Sequence, residues 1–132
     1  MILADTSAWV EFLRGTGSDV HIRLRGLLEH DELATTDVVL MEVLAGARDD
    51  IHRERLRGLL ARCEFLSTHG PRDYEDAAEL YRACRRAGLT VRALTDCLIA
   101  TVAMSANIAL LHADRDFDAI ARHAPLQLAL DP

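Results

Sequence analysis

Apolar residues follow two rhythms along the chain. The first is a short unbroken run, Ile2-Leu3-Ala4, that stops at Asp5. The second begins directly afterwards, with Trp9, Phe12 and Leu13 on one face at i, i+3, i+4 spacing. Thr6 or Ser7 stands where a helix N-cap belongs. This pattern predicts a buried strand that hands a carboxylate to its carboxyl end, just before a helix. Gly15-Thr16-Gly17-Ser18 then makes a turn, and positions 20, 24, 27 and 28 predict an amphipathic helix over residues 19–30.

The same alternation continues. Leu33 to Thr36 is a short strand, and Asp37 is placed to cap residues 38–46, a stretch apolar on nearly every side with Gly46 near its end. Ile51, Leu56, Leu59 and Leu60 predict a charged amphipathic helix over 50–62, and Cys63 to Ser67 the next strand. Pro71 opens a long helix to Ala87, acidic in its first half and basic in its last turns, a polarity that suits the helix dipole; Gly88 ends it. Leu89 to Thr95 is a linking stretch. Thr95 or Asp96 caps a second buried helix that runs to about Ala106. Residues 108–111 form a fourth strand, a further helix starts around Asp114, and residues 126–130 suit a final edge strand. Strands and helices that alternate without hairpin dipeptides indicate a parallel sheet flanked by helices, an α/β fold in one domain over 1–132.

Composition narrows the chemistry. Three cysteines, odd in number and widely spaced, fit reduced thiols rather than a disulfide frame or a zinc site. The first apolar run has no basic flank and is cut by Asp5, so it does not read as a signal peptide. The uncharged stretch from Cys97 to Ala113 is interrupted by Thr101, Ser105 and Asn107 and reads as helix, turn and strand rather than a membrane span. The expected compartment is cytoplasmic. The formal charge of −6 argues against a nucleic-acid partner until the acids are located. All 15 basic side chains are arginine, with no lysine.

Most of the 21 acidic residues lie on polar helix faces. Four do not: Asp5 after a buried strand, Glu42 inside an apolar helix, Asp96 at the head of another, and Asp114 past the fourth strand. A buried, unpaired carboxylate costs several kcal/mol or gives up its charge. Strand ends and following helix starts converge on one rim of a parallel sheet, so these acids are expected to meet. Carboxylates packed together repel unless cations sit among them, and an all-oxygen donor set selects Mg²⁺ or Mn²⁺ over zinc. If the four acids line one pocket, they account for −4 of the charge and leave −2 elsewhere. Such a cage suits phosphodiester cleavage, with one ion acidifying a water and a second steadying the leaving oxygen. Asp116 is a further ligand candidate, and Thr6, Ser7 and His112 are candidates for supporting contacts.

The missing lysine excludes neighbouring chemistries. Aspartyl-phosphate phosphatases and receiver domains share the aspartate after strand 1 but need a lysine for the phosphoryl oxygens. A P-loop NTPase needs one too, along with a Gly-rich loop. Asp114-x-Asp116-x-Asp118 opens like an EF-hand, yet Ala119 stands where its glycine must be and Pro125 where its glutamate must be.

Asp5-Thr6-Ser7, Glu42-Val43-Leu44-Ala45-Gly46, Thr95-Asp96-Cys97-Leu98-Ile99-Ala100 and Asp114-Arg115-Asp116-Phe117 together resemble the PIN-domain ribonucleases. Length and spacing point to the VapC toxins of type II toxin–antitoxin modules. The resemblance implies a three-layer α/β/α sandwich with a central parallel sheet and a Mg²⁺- or Mn²⁺-dependent endoribonuclease. It further implies a homodimer neutralised by a cognate VapB-like antitoxin. On these positions Asp5, Glu42, Asp96 and Asp114 match the metal-binding acids, and Asp116 a further one. His112 departs from the Ser or Thr that many members carry there. Arg92 is the first candidate for the RNA backbone, with Arg85 and Arg86 weaker ones. Two other readings stand beside this one: a PIN-type nuclease of RNA processing or DNA flaps, and a non-catalytic binding module.

Overall fold

The computed structural model describes residues 1–130. Four strands, β1 (Ile2–Ala4), β2 (Leu33–Thr36), β3 (Glu64–Leu66) and β4 (Ala109–Leu111), form one parallel sheet in the order β3-β2-β1-β4. Ile2 pairs with Leu33 on one side and Ala109 on the other, so β1 sits at the centre. Leu3, Ala4, Leu33, Ala34, Leu110 and Leu111 are fully or almost fully buried, as expected of strands covered on both faces. Among the described residues seven helices flank the sheet: α1 (Thr6–Arg14), α2 (Asp19–Glu29), α3 (Asp37–Ala45), α4 (Asp50–Leu60), α5 (Arg72–Arg86), α6 (Leu94–Ala106) and α7 (Arg115–Ala121). The expected final edge strand is reduced to a single parallel bridge, in which Gln127 and Ala129 exchange backbone hydrogen bonds with Leu110.

Helix α1 begins one or two residues earlier than the sequence suggests. Asp5, rather than Thr6 or Ser7, is its N-cap, and the Ser7 N–H donates to Asp5 Oδ2 at 2.9 Å. Buried Trp9 packs edge-on to Phe12 at 5.8 Å and anchors the helix on the core. Gly15, in the left-handed region at φ 63°, ends it and leads into the turn before α2.

Two further caps differ from expectation. Thr36 occupies the N-cap of α3 without a side-chain bond, while Asp37 accepts from Thr68 N–H and Oγ1 at 2.8 and 2.9 Å and ties down the segment after β3. Ala93 occupies the N-cap of α6, again without a side-chain bond, so neither Thr95 nor Asp96 serves as the cap. Helix α3 is also not buried all round. Val38, Val39 and Val43 face the core, but Met41 is 59% exposed. Helix α6 does fit the expectation, with every residue from Cys97 to Ala103 buried. Helix α3 packs against both α1 and α6, which brings three chain segments to the carboxyl rim of the sheet.

Candidate active site

Each acid reaches the rim by a different local route. Asp5 leaves the end of β1, and its backbone N–H donates to Leu111 of β4 at 2.9 Å. Its side chain is 4% exposed, and Oδ2 accepts both the Ser7 N–H and the Ser7 hydroxyl, the latter at 2.6 Å. The same Ser7 oxygen accepts the Ala113 N–H at 2.9 Å. One hydroxyl thereby joins the end of β1 to the segment that carries Asp114. Thr6 points the other way and donates to Glu42 Oε1 at 2.9 Å, which fixes the carboxylate that α3 supplies.

Asp96 lies in the first turn of α6 with its carboxylate unused for capping. Asp114 caps α7, its Oδ1 accepting the Asp116 N–H at 3.0 Å. Asp116 is 5% exposed. Carboxylate oxygens of Asp96, Asp114 and Asp116 lie within 4.8 Å of one another. Asp5, Thr6, Ser7, Glu42, Arg92, Thr95 and these three aspartates line one cavity of about 340 Å³.

Arg92 is the basic side chain in that wall. Its Nε and its backbone N–H both donate to Asp116 Oδ2, at 3.1 and 3.2 Å, and a terminal nitrogen donates to Asp114 Oδ1 at 3.0 Å. It therefore grips two acids of the pocket. His112 sits behind the pocket instead of lining it. Its Nδ1 accepts the Asp114 N–H at 3.1 Å, and its Nε2 stands 3.2 Å from Asp118 Oδ1 without hydrogen-bond alignment. Arg85 and Arg86 lie on the last turn of α5, outside the cavity.

The electrostatics follow from burial among like charges. Asp96 is pushed up to about 7, by burial first and then by Asp5, Asp114, Asp116 and Glu42. Burial also raises Asp5, against the lowering effect of the Ser7 bonds, with Asp114 adding to the rise. Glu42 is raised by burial and by Asp5, with the Thr6 hydroxyl opposing. Several carboxylates in one cavity with a single arginine make an incomplete charge balance, and oxygen-only donors at this spacing fit a hard divalent cation. Sequence reasoning missed Thr95 as a lining residue and the Ala113 N–H as a partner of Ser7. Neither carries a sequence signal, because both depend on how β1, β4 and α6 end at one level.

A parallel α/β domain with an acidic pocket at its carboxyl rim places that pocket where such sheets bind ligands. The PIN domain family model matches residues 2–123. Ribonuclease VapC11 of Mycobacterium tuberculosis is 44% identical over 131 residues, covering 98% of each chain. The fold is also similar to a VapBC2 complex of Rickettsia felis bound to a promoter DNA fragment (TM-score 0.74, 21% identity, 99% of this chain and 100% of that one). A VapBC-5 structure of Mycobacterium tuberculosis aligns at TM-score 0.64 and 25% identity, over 96% of this chain and 94% of that one. The chain belongs to the VapC ribonucleases of the PIN-domain family.

Proposed function

We propose that the chain is the toxin of a toxin–antitoxin pair, an endoribonuclease dependent on Mg²⁺ or Mn²⁺. The observation that carries this reading is the convergence of Asp5, Glu42, Asp96, Asp114 and Asp116, from four segments far apart in sequence, on one cavity. Asp5, Glu42, Asp96, Asp114 and Asp116 are the metal ligands of this reading, and the oxygens of the last three lie within 4.8 Å of one another. A bound divalent cation would acidify a water and offset charge on the phosphate undergoing cleavage. The protein's own groups do the positioning. Ser7 and Thr6 hold Asp5 and Glu42, and His112 holds the backbone at Asp114.

Arg92 orients two acids by gripping Asp114 Oδ1 and Asp116 Oδ2, which leaves each a second oxygen for a cation. RNA as the substrate rests on the likeness to Ribonuclease VapC11, and a VapB-like antitoxin on the neighbours solved as VapBC complexes. A homodimer fits the same family. Among the described residues no helix is long and apolar enough to cross a membrane, and action on cellular RNA in the cytoplasm fits the reading. The test is expression of the wild-type chain and of Asp96→Asn, with sequencing of RNA 5′ ends after brief induction. New 5′ ends and arrested growth with the wild type alone are expected. Identical RNA ends and growth in the two cultures overturn the proposal.

A further inference from the structure

Three arginines crowd the last turns of α5, and their surroundings differ. Arg82 and Arg86 stand 3.6 and 3.1 Å from Glu79, so a carboxylate on the same helix answers both. Arg85 has no ion-pair partner among the described residues. Its guanidinium carbon instead lies 5.8 Å from the centroid of the Tyr81 ring. A helix dipole rewards a cation at this end, but it does not require one laid against an aromatic side chain at the mouth of a groove. That groove, about 510 Å³, is lined by Tyr81, Arg85, Gly88, Leu89, Thr90 and Val91. The next residue, Arg92, lines the carboxylate cavity. Neighbouring residues of one loop thus line the two hollows, Val91 the groove and Arg92 the cavity.

We propose that the Tyr81–Arg85 groove is a second RNA subsite, which holds nucleotides flanking the phosphodiester in the acidic cavity. Arg85 faces a backbone phosphate, and the Tyr81 ring offers a surface for a base, the combination by which proteins hold single strands without reading sequence. The proposal rests on the nuclease reading above. A chain with net charge −6 and a carboxylate cavity repels RNA at the point of cleavage, so attraction has to come from cations beside the cavity. Arg92 is engaged by Asp114 and Asp116, and of the three arginines in the last turns of α5 only Arg85 has no carboxylate within ion-pair distance among the described residues. Charge complementarity and the loop shared with the cavity favour a nucleic-acid strand over a second protein copy as the occupant.

The probe is fluorescein-labelled oligoadenylate, with oligouridylate in parallel, titrated by anisotropy into the Asp96→Asn chain over a salt series. Added to that background, Arg85→Gln is expected to weaken binding about fivefold or more and to flatten the log–log salt slope by about 0.7. Tyr81→Leu keeps an apolar body against the core and is expected to weaken oligoadenylate about fivefold or more, with oligouridylate less affected. Thermal melts of both variants must match the parent. Unchanged affinity and slope in both variants, or no binding of either RNA by the parent at low salt, overturns the subsite. So does an Arg85→Gln change in oligomeric state without loss of RNA affinity, which makes the groove a contact between copies. The wild-type chain with Mn²⁺ separates the two levels: cleavage of RNA alongside unaffected groove variants sinks the subsite only, and no cleavage of any RNA sinks the nuclease reading.

Discussion

The molecule carries two acidic regions of similar charge. Helix α5 holds Asp73, Glu75, Asp76 and Glu79 in its first half, and the sheet rim holds Asp5, Glu42, Asp96, Asp114 and Asp116. In α5 the first and last of these acids meet partners. Glu79 is 60% exposed with Arg82 and Arg86 beside it, and Asp73, though buried, accepts the His69 N–H at 2.7 Å. At the rim one arginine serves two of five acids, and Asp96 rises to about 7. The contrast shows that acid count alone carries little chemistry. Burial and the shortage of cations at the rim are what make the proposed cation site favourable.

The largest expected effect falls on cleavage. Asp96→Ala should lower the rate on labelled RNA with Mn²⁺ by more than about 100-fold, since even partners that only orient metal ligands are worth about 10–100-fold. Glu79→Ala, which removes an acid from the paired region, should leave that rate within about twofold, as an exposed ion pair contributes little. Equal effects of the two substitutions would erase the distinction.

Arg92→Ala sharpens the comparison at its boundary. Calorimetric titration should show Mn²⁺ bound about 10–100-fold more weakly, because Asp114 and Asp116 lose their orientation. Tighter binding would mean that the guanidinium competes with the cation instead.

A pH series isolates Asp96. Its carboxyl is raised from 3.8 to about 7 in the folded chain. The stability this group contributes without metal is therefore complete below 3.8 and lost as pH rises through about 7. A cation needs the carboxylate, so Mn²⁺ affinity climbs over the upper part of that interval. Release of one proton predicts affinity about tenfold weaker at about pH 6 than at about pH 8. A flat profile in calorimetry would contradict the shortage of cations at the rim.

The smallest effects concern the scaffold. Ser7→Ala removes the hydroxyl shared by Asp5 and the Ala113 N–H and should cost about 1–3 kcal/mol in denaturant unfolding. Arg86→Ala should stay within about 0.5 kcal/mol, because its partner Glu79 is exposed.

Asp5 and Glu42 were visible as candidates because they interrupt apolar stretches, and a carboxylate in such a place always demands a reason. The strand–helix alternation was visible for the same reason, since burial on both sheet faces leaves unbroken apolar runs. The caps were harder to read. Asp37 and Asp96 both sit at helix heads where an aspartate usually caps, yet Asp37 reaches Thr68 and Asp96 stays unengaged. Only the position of the neighbouring segments separates these outcomes. Arg92 illustrates the same limit. The sequence offers Arg92 as a contact for the RNA backbone, and the loop path lays it on Asp114 and Asp116.

The sequence by itself determined the parallel α/β class, the family motifs, and the unusual positions of four carboxylates, because periodicity and misplaced charge are local properties. It also excluded every mechanism that needs a lysine. The tertiary structure alone decided that the rim acids share one cavity, that Ser7 links β1 to the Asp114 segment, that His112 stands behind the site, and that Arg85 rather than Arg86 keeps an unanswered charge. Those outcomes depend on distances between residues far apart in the chain, and such distances follow from packing rather than from any local pattern.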